Sequence, residues 1–114
     1  MQIHYLEIVT ADVNPTCATY SRLYGVAFSD SDPSLGGART AKLANGGAIG
    51  VRAPMHKAEQ PVVRPYFLVG DIEASVTAAS EAGAEVALPP TEIPGHGRFA
   101  ILIQSGIQTG LWQN

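Results

Sequence analysis

Tyr5-Leu6-Glu7-Ile8-Val9-Thr10-Ala11-Asp12-Val13 returns, in place and polarity, as Arg64-Pro65-Tyr66-Phe67-Leu68-Val69-Gly70-Asp71-Ile72, at an offset of 59 residues. Near the end of each half, Ile49-Gly50-Val51 matches Thr109-Gly110-Leu111 at an offset of 60, a one-residue difference that a turn absorbs. Both long stretches begin as a run of aliphatic, β-branched and aromatic residues, the signature of a strand. Both then reach an Asp placed to cap a helix. Such repetition at one spacing argues for two copies of one supersecondary unit.

Working outward, each half reads βαβββ. In the first, Ile3 to Val9 is a strand and Asp12 an N-cap, with Pro15 in the tolerant first turn. Val13, Cys17, Tyr20 and Tyr24 mark one helical face, and Gly25 ends the helix. Strands are expected at Val26 to Ser29, Ala38 to Leu43 and Ala48 to Arg52, separated by turns at Asp30 to Gly37 and Asn45-Gly46-Gly47. The second half repeats the order: a strand from Pro65 to Val69, an Asp71 cap, a stripe of Ile72, Val76, Ala79 and Ala82, and a Gly83 stop. Strands follow at Glu85 to Leu88, Arg98 to Ile103 and Gln108 to Trp112. Pro89-Pro90 and Pro94-Gly95-His96-Gly97 bracket a loop, and Ser105-Gly106 is the last turn. The expected organisation is one α+β domain over 1–114, with modules of about 1–53 and 64–114 and a connection over about 54–63.

Composition narrows the function classes. The 114 residues suffice for one core, and 46% are hydrophobic, which excludes disorder. Only 15% are charged, against a typical level of about 25%. Either part of the surface is buried against a second copy, or Ser, Thr, Gly and Ala cover it. A net charge of −3 without a Lys/Arg cluster argues against nucleic acid. No apolar run approaches the ~20 residues that span a bilayer. The opening residues show no leader-like pattern, so cytoplasm is the expected location. The single Cys17 excludes an internal disulfide and fits packing in the helical stripe.

The order of these segments resembles the vicinal oxygen chelate superfamily, the glyoxalase/bleomycin-resistance/dioxygenase fold. The resemblance rests on Leu6-Glu7-Ile8-Val9 with Asp12, on Tyr20 with Leu23-Tyr24-Gly25, and on Pro65-Tyr66-Phe67-Leu68-Val69 leading to Asp71-Ile72. Pro89 to Gly95, Gly97-Arg98-Phe99-Ala100 and Gly110-Leu111-Trp112 complete it. It implies a cup-shaped mixed sheet with a small-molecule pocket between the modules, and dimerisation. It also implies metal ligands on the first and last strand of each half, which here fall on Tyr5, Gly50, Arg64 and Gly110. None is a His or a carboxylate, so no metal and no other cofactor is expected. A one-residue slip in the first strand would turn His4 inward in place of Tyr5, and His4 would then stand alone.

Strand alternation nominates the lining. Tyr5, Glu7 and Val9 share a face, as do Arg64, Tyr66 and Leu68, Gly50 and Arg52, and Gly110 and Trp112. Glu7 is either a general acid–base with a raised pKa or half of a buried salt bridge with Arg52 or Arg64. Arg52 and Arg64 either fork a substrate carboxylate or lie solvated. Tyr66 and Trp112 either stack on a flat ligand or fill the core. His96, in its glycine-rich loop, is a candidate proton shuttle or simply exposed, and His56 has weaker grounds. Tyr5 and Arg98 complete the candidate ligand-binding set. Three functions follow as expectations. One is a metal-independent binding protein for an aromatic or amphipathic ligand, of the bleomycin-resistance kind. The second is a glyoxalase-like lyase, isomerase or hydrolase using Glu7 or His96. The third is a non-enzymatic homodimeric interaction subunit.

Overall fold

The structure is a computed structural model describing Met1–Asn114. It holds β1 (Ile3–Val9), α1 (Val13–Tyr24), a 3-10 turn (Pro33–Leu35), β2 (Arg39–Lys42) and β3 (Ala48–Arg52). These are followed by β4 (Val62–Leu68), α2 (Ile72–Glu81), β5 (Glu85–Ile93), β6 (Gly97–Gln104) and β7 (Ile107–Gln113). The chain divides into two compact units: Tyr5–Val63, and Arg64–Asn114 joined by Met1–His4.

In the first unit β3 runs between β1, parallel, and β2, antiparallel. Period-two alternation gives these strands two different faces. On one, Ile8 and Val51 form a core with Cys17 of α1, packed around by Val13, Tyr20, Phe28 and Ile49. On the other lie Tyr5, Glu7, Gly50 and Arg52, all buried. The helical stripe therefore buries Cys17 as expected, but Tyr24, at its C-terminal end, is exposed. Gly25 stops the helix in the left-handed region at φ 66°, its N–H donating to the Ser21 carbonyl.

In the second unit β4 pairs parallel with β7, β7 antiparallel with β6, and β6 antiparallel with β5. The Gln2 carbonyl, also in this unit, accepts from the Leu68 N–H. Glu7 faces Gly50 across β1 and β3, and Tyr66 faces Gly110 across β4 and β7. These pairs are equivalent under the sequence repeat, so the internal alignment is also a structural register. In each unit the first strand lies parallel to the last.

Several local expectations are corrected. Val26–Ser29 forms no strand; it is tied at Ser29, whose N–H donates to the Thr40 carbonyl, whose carbonyl accepts from Arg39 Nε and whose hydroxyl accepts from the Thr40 N–H, and one bridge joins Asp32 and Ala38. The 3-10 turn falls inside the expected turn at Asp30 to Gly37. Asp12 does not cap α1 with its side chain, whereas Asp71 does cap α2, accepting from the Ala74 N–H at 3.1 Å. β4 starts at Val62, inside the expected connection. Finally, β5 runs through Pro89-Pro90 to Ile93. It is an edge strand paired only with β6 and its register shifts around that dipeptide, the setting in which a strand tolerates proline.

Candidate functional site

Arg52, the last residue of β3, organises the first unit's polar face. Its Nε donates to Glu7 Oε2 at 2.8 Å, and Nη1 and Nη2 donate to the two Glu59 oxygens at 2.9 and 2.7 Å. Nη1 also reaches the Ala53 carbonyl at 3.2 Å. The guanidinium is only 6% exposed as a side chain, so these bonds are made largely out of water. A planar fork against both carboxylate oxygens is the strongest geometry arginine has. Glu59 also accepts from the Met55 N–H at 2.8 Å. The Arg52 bond holds the Glu59 carboxyl down at about 2, against the opposing pull of burial and with help from Met55. In turn the Glu59 bond, against burial and reinforced by Glu7, raises Arg52 above the ordinary arginine value.

Of the alternatives for Glu7, the geometry realises a buried pair with Arg52. The same geometry fills the Arg52 fork from within the chain. Glu59 escaped sequence reasoning because it sits in a stretch without periodicity. The available signal was that it is the one carboxylate between Ala53 and Val63.

The second unit's equivalent face is aromatic. Tyr66 stands edge-on to Trp112 with centroids 6.0 Å apart, and Phe99 lies 6.1 Å from Tyr66. His4 tilts against Trp112 at 5.4 Å. The indole Nε1 donates to the His96 carbonyl at 3.0 Å, which fixes the ring's orientation. Arg64 Nε and Nη2 donate to Gln108 Oε1 at 3.2 and 2.7 Å, and Nη1 lies 3.5 Å from the Tyr66 hydroxyl. Gln108 is a second partner that sequence reasoning missed. Arg98 is placed elsewhere: it forms a half-exposed ion pair with Glu73 of α2. His96 enters through its backbone, and His56 lies in the exposed connection. The Cys17 thiol is pushed up by burial, opposed by Arg39, which suits packing and not reactivity.

The four strand positions where the resemblance places metal ligands can be tested for fit. Tyr5 and Arg64 offer a phenol and a guanidinium, poor donors to a divalent ion. The two glycines are roofed over. A Cβ added at Gly50 would overlap the Tyr5 hydroxyl, and one added at Gly110 would overlap the Tyr66 ring. Tyrosine rings thus occupy the space into which a ligating side chain would project, and these residues do not fit a metal ion.

Comparison with known proteins shows what the chain is similar to. No protein-family model matches it. It is 28% identical over 116 residues to "Putative glyoxylase CFP32" of Mycobacterium bovis and of Mycobacterium tuberculosis, a match covering 96% of this chain. The chain spans 44% of the length of those relatives. Among solved structures, a hypothetical protein, BH1468, from Bacillus halodurans shares the fold at a TM-score of 0.77 and 12% identity, covering 99% of this chain and 94% of that one. Methylmalonyl-CoA epimerase of Streptomyces coelicolor, in complex with 2-nitronate-propionyl-CoA, gives 0.71 at 20% identity, covering 100% and 97%. The Mycobacterium tuberculosis epimerase gives 0.73 at 16%, covering 97% and 86%. The shared fold and the similarity to a protein named as a glyoxylase fit the vicinal oxygen chelate superfamily. The chain has the expected α+β architecture of two helices and seven strands in mixed directions, as those structures do.

Proposed function

We propose that this chain is a small-molecule-binding member of the superfamily that operates without a metal ion at the usual strand positions. The observation that carries the reading is the covering of Gly50 and Gly110 by Tyr5 and Tyr66. The ligand class is aromatic or amphipathic, in keeping with the Tyr66, Trp112 and Phe99 rings gathered in the second unit. The acting form is a homodimer, in keeping with the low charge content. Metal analysis of protein purified without chelator tests it, together with thermal-shift screening of aromatic acids and antibiotics. The expected result is no stoichiometric metal, no effect of chelator on Tm, and stabilisation by a subset of compounds. One tightly held Zn, Ni, Fe or Mn per chain would end the reading.

A second reading, a glyoxalase-like lyase or isomerase, is favoured by the names of the similar proteins. In it Glu7 or His96 serves as acid–base. Glu7 has the better position, since the Arg52 Nε holds one of its oxygens and fixes the carboxylate plane. Turnover screening of Glu7→Gln decides this: full retention of any activity found removes Glu7 from the mechanism.

A further inference from the structure

Arg52 is shared by two carboxylates of very different standing. Glu7 is locked in β1, opposite Gly50 in the β1–β3 register. Glu59 lies in the Ala53–Pro61 stretch, which has neither helix nor strand and is exposed except at Pro54 and Glu59. That stretch closes on its own carboxylate, with the Met55 N–H donating to Glu59 Oε1 and the Glu59 N–H to the His56 carbonyl. Its Met55 side chain, 65% exposed, rests beside Gly36, the left-handed residue ending the 3-10 turn. The segment is therefore a strap whose main polar anchor is one side chain.

We propose that Glu59 is an internal stand-in for a carboxylate ligand, and that Arg52 becomes a carboxylate-binding site when the strap lifts. Three features support the exchange. The bidentate fork filled by Glu59 is the geometry arginine uses for free carboxylates. Lifting the strap leaves Arg52 aimed, because Nε keeps Glu7 and the Arg52 carbonyl keeps the Thr10 N–H at 3.0 Å. An incoming carboxylate also restores the charge that Glu59 takes away, whereas a neutral or cationic ligand would not. Since Glu59 stays ionised down to about 2, competition and not mild acid opens the strap.

This deepens the small-molecule-binding reading and rests on it. The test uses the full chain with benzoate and acetate as probes. NMR follows the Arg52 Nε–H and the Met55 and Glu59 amides, and the titration gives affinity. If strap opening limits binding, removing the anchor removes the population cost, so Glu59→Ala should bind benzoate at least about tenfold tighter than wild type. Adding Arg52→Lys to that variant should abolish the gain, because lysine offers no fork. In wild type, benzoate should shift the Met55 and Glu59 amides together in a saturable way. Equal affinity in folded wild type and Glu59→Ala overturns the proposal, as does a gain that survives Arg52→Lys. Should Glu59→Ala not fold, the wild-type titration decides, and unmoved Arg52 and Met55 signals overturn it. A bound metal would defeat the functional reading while leaving these titrations intact. Stabilising compounds without strap movement would defeat only the strap.

Discussion

The two units carry the same backbone register and opposite chemistry. Where the first places Glu7 across from Gly50, the second places Tyr66 across from Gly110. Where the first ends β3 on Arg52, the second has Trp112 of β7, packed against Tyr66 and His4 and tied to the His96 carbonyl. One buried face is held by ion pairs, and the other by ring packing with the Arg64–Gln108 hydrogen bonds beside it. A strand pair constrains spacing and alternation but not side-chain type, so a repeat can keep its frame while one copy becomes ionic and the other aromatic. The conserved element is the glycine on the last strand. In both units a tyrosine ring needs the space a Cβ would take, although the tyrosines sit at non-equivalent positions, Tyr5 and Tyr66.

The comparison is tested most severely at Arg52. Arg52→Met withdraws the cation faced by two carboxylates and should cost about 3–5 kcal/mol in denaturant unfolding. A loss under about 1 kcal/mol would show that the ionic face does not hold the first unit together. Next comes Glu59→Gln, expected to cost about 1.5–3 kcal/mol at neutral pH, as for a hydrogen bond to a charged group. Its pH signature has a definite sign. The folded carboxyl lies at about 2, below the unfolded value of about 4.3, so its contribution is fully present above the unfolded value. It disappears as pH falls towards 2. Wild type should therefore lose more stability than Glu59→Gln across that acid range, and parallel curves would contradict the pairing.

The aromatic side of the comparison is sharpened by glycine. Gly110→Ala drives a methyl into the body of the Tyr66 ring and should cost about 2 kcal/mol. Gly50→Ala meets first the hydroxyl end of Tyr5 instead of the body of a ring, and should cost less. Thermal unfolding of both variants checks the order, and the reverse order would mean that Tyr5 is the more rigid roof. Smallest is Arg98→Ala. Its pair with Glu73 is half-exposed on one side and well exposed on the other, so the expected change is under about 1 kcal/mol. A larger loss would show an ionic contribution to the stability of the second unit.

Much of the frame was legible in the residues. Alternation assigned Tyr5, Glu7, Arg52, Arg64, Tyr66 and Trp112 to common faces, and all six are buried. What was not legible had local causes. The Pro89-Pro90 pair looked like a loop because its tolerance depends on β5 being an edge, and edge status is a property of the whole sheet. Asp12 and Asp71 look alike as caps, yet only Asp71 accepts from its helix; Asp12, at φ −103° and ψ 57°, is not in the extended conformation that aims a cap, whereas Asp71 is. Val26–Ser29 has strand composition but makes no strand ladder.

The sequence by itself determined the repeat, the period of each element and the register that sets Gly50 and Gly110 in matching places, because these depend on spacing along the chain. Only the tertiary structure decided that Arg52 is gripped by Glu7 and Glu59, and that tyrosine rings fill the space beside both glycines. Those outcomes depend on side chains far apart in sequence meeting at hydrogen-bond or van der Waals distance, and no local pattern encodes such a meeting.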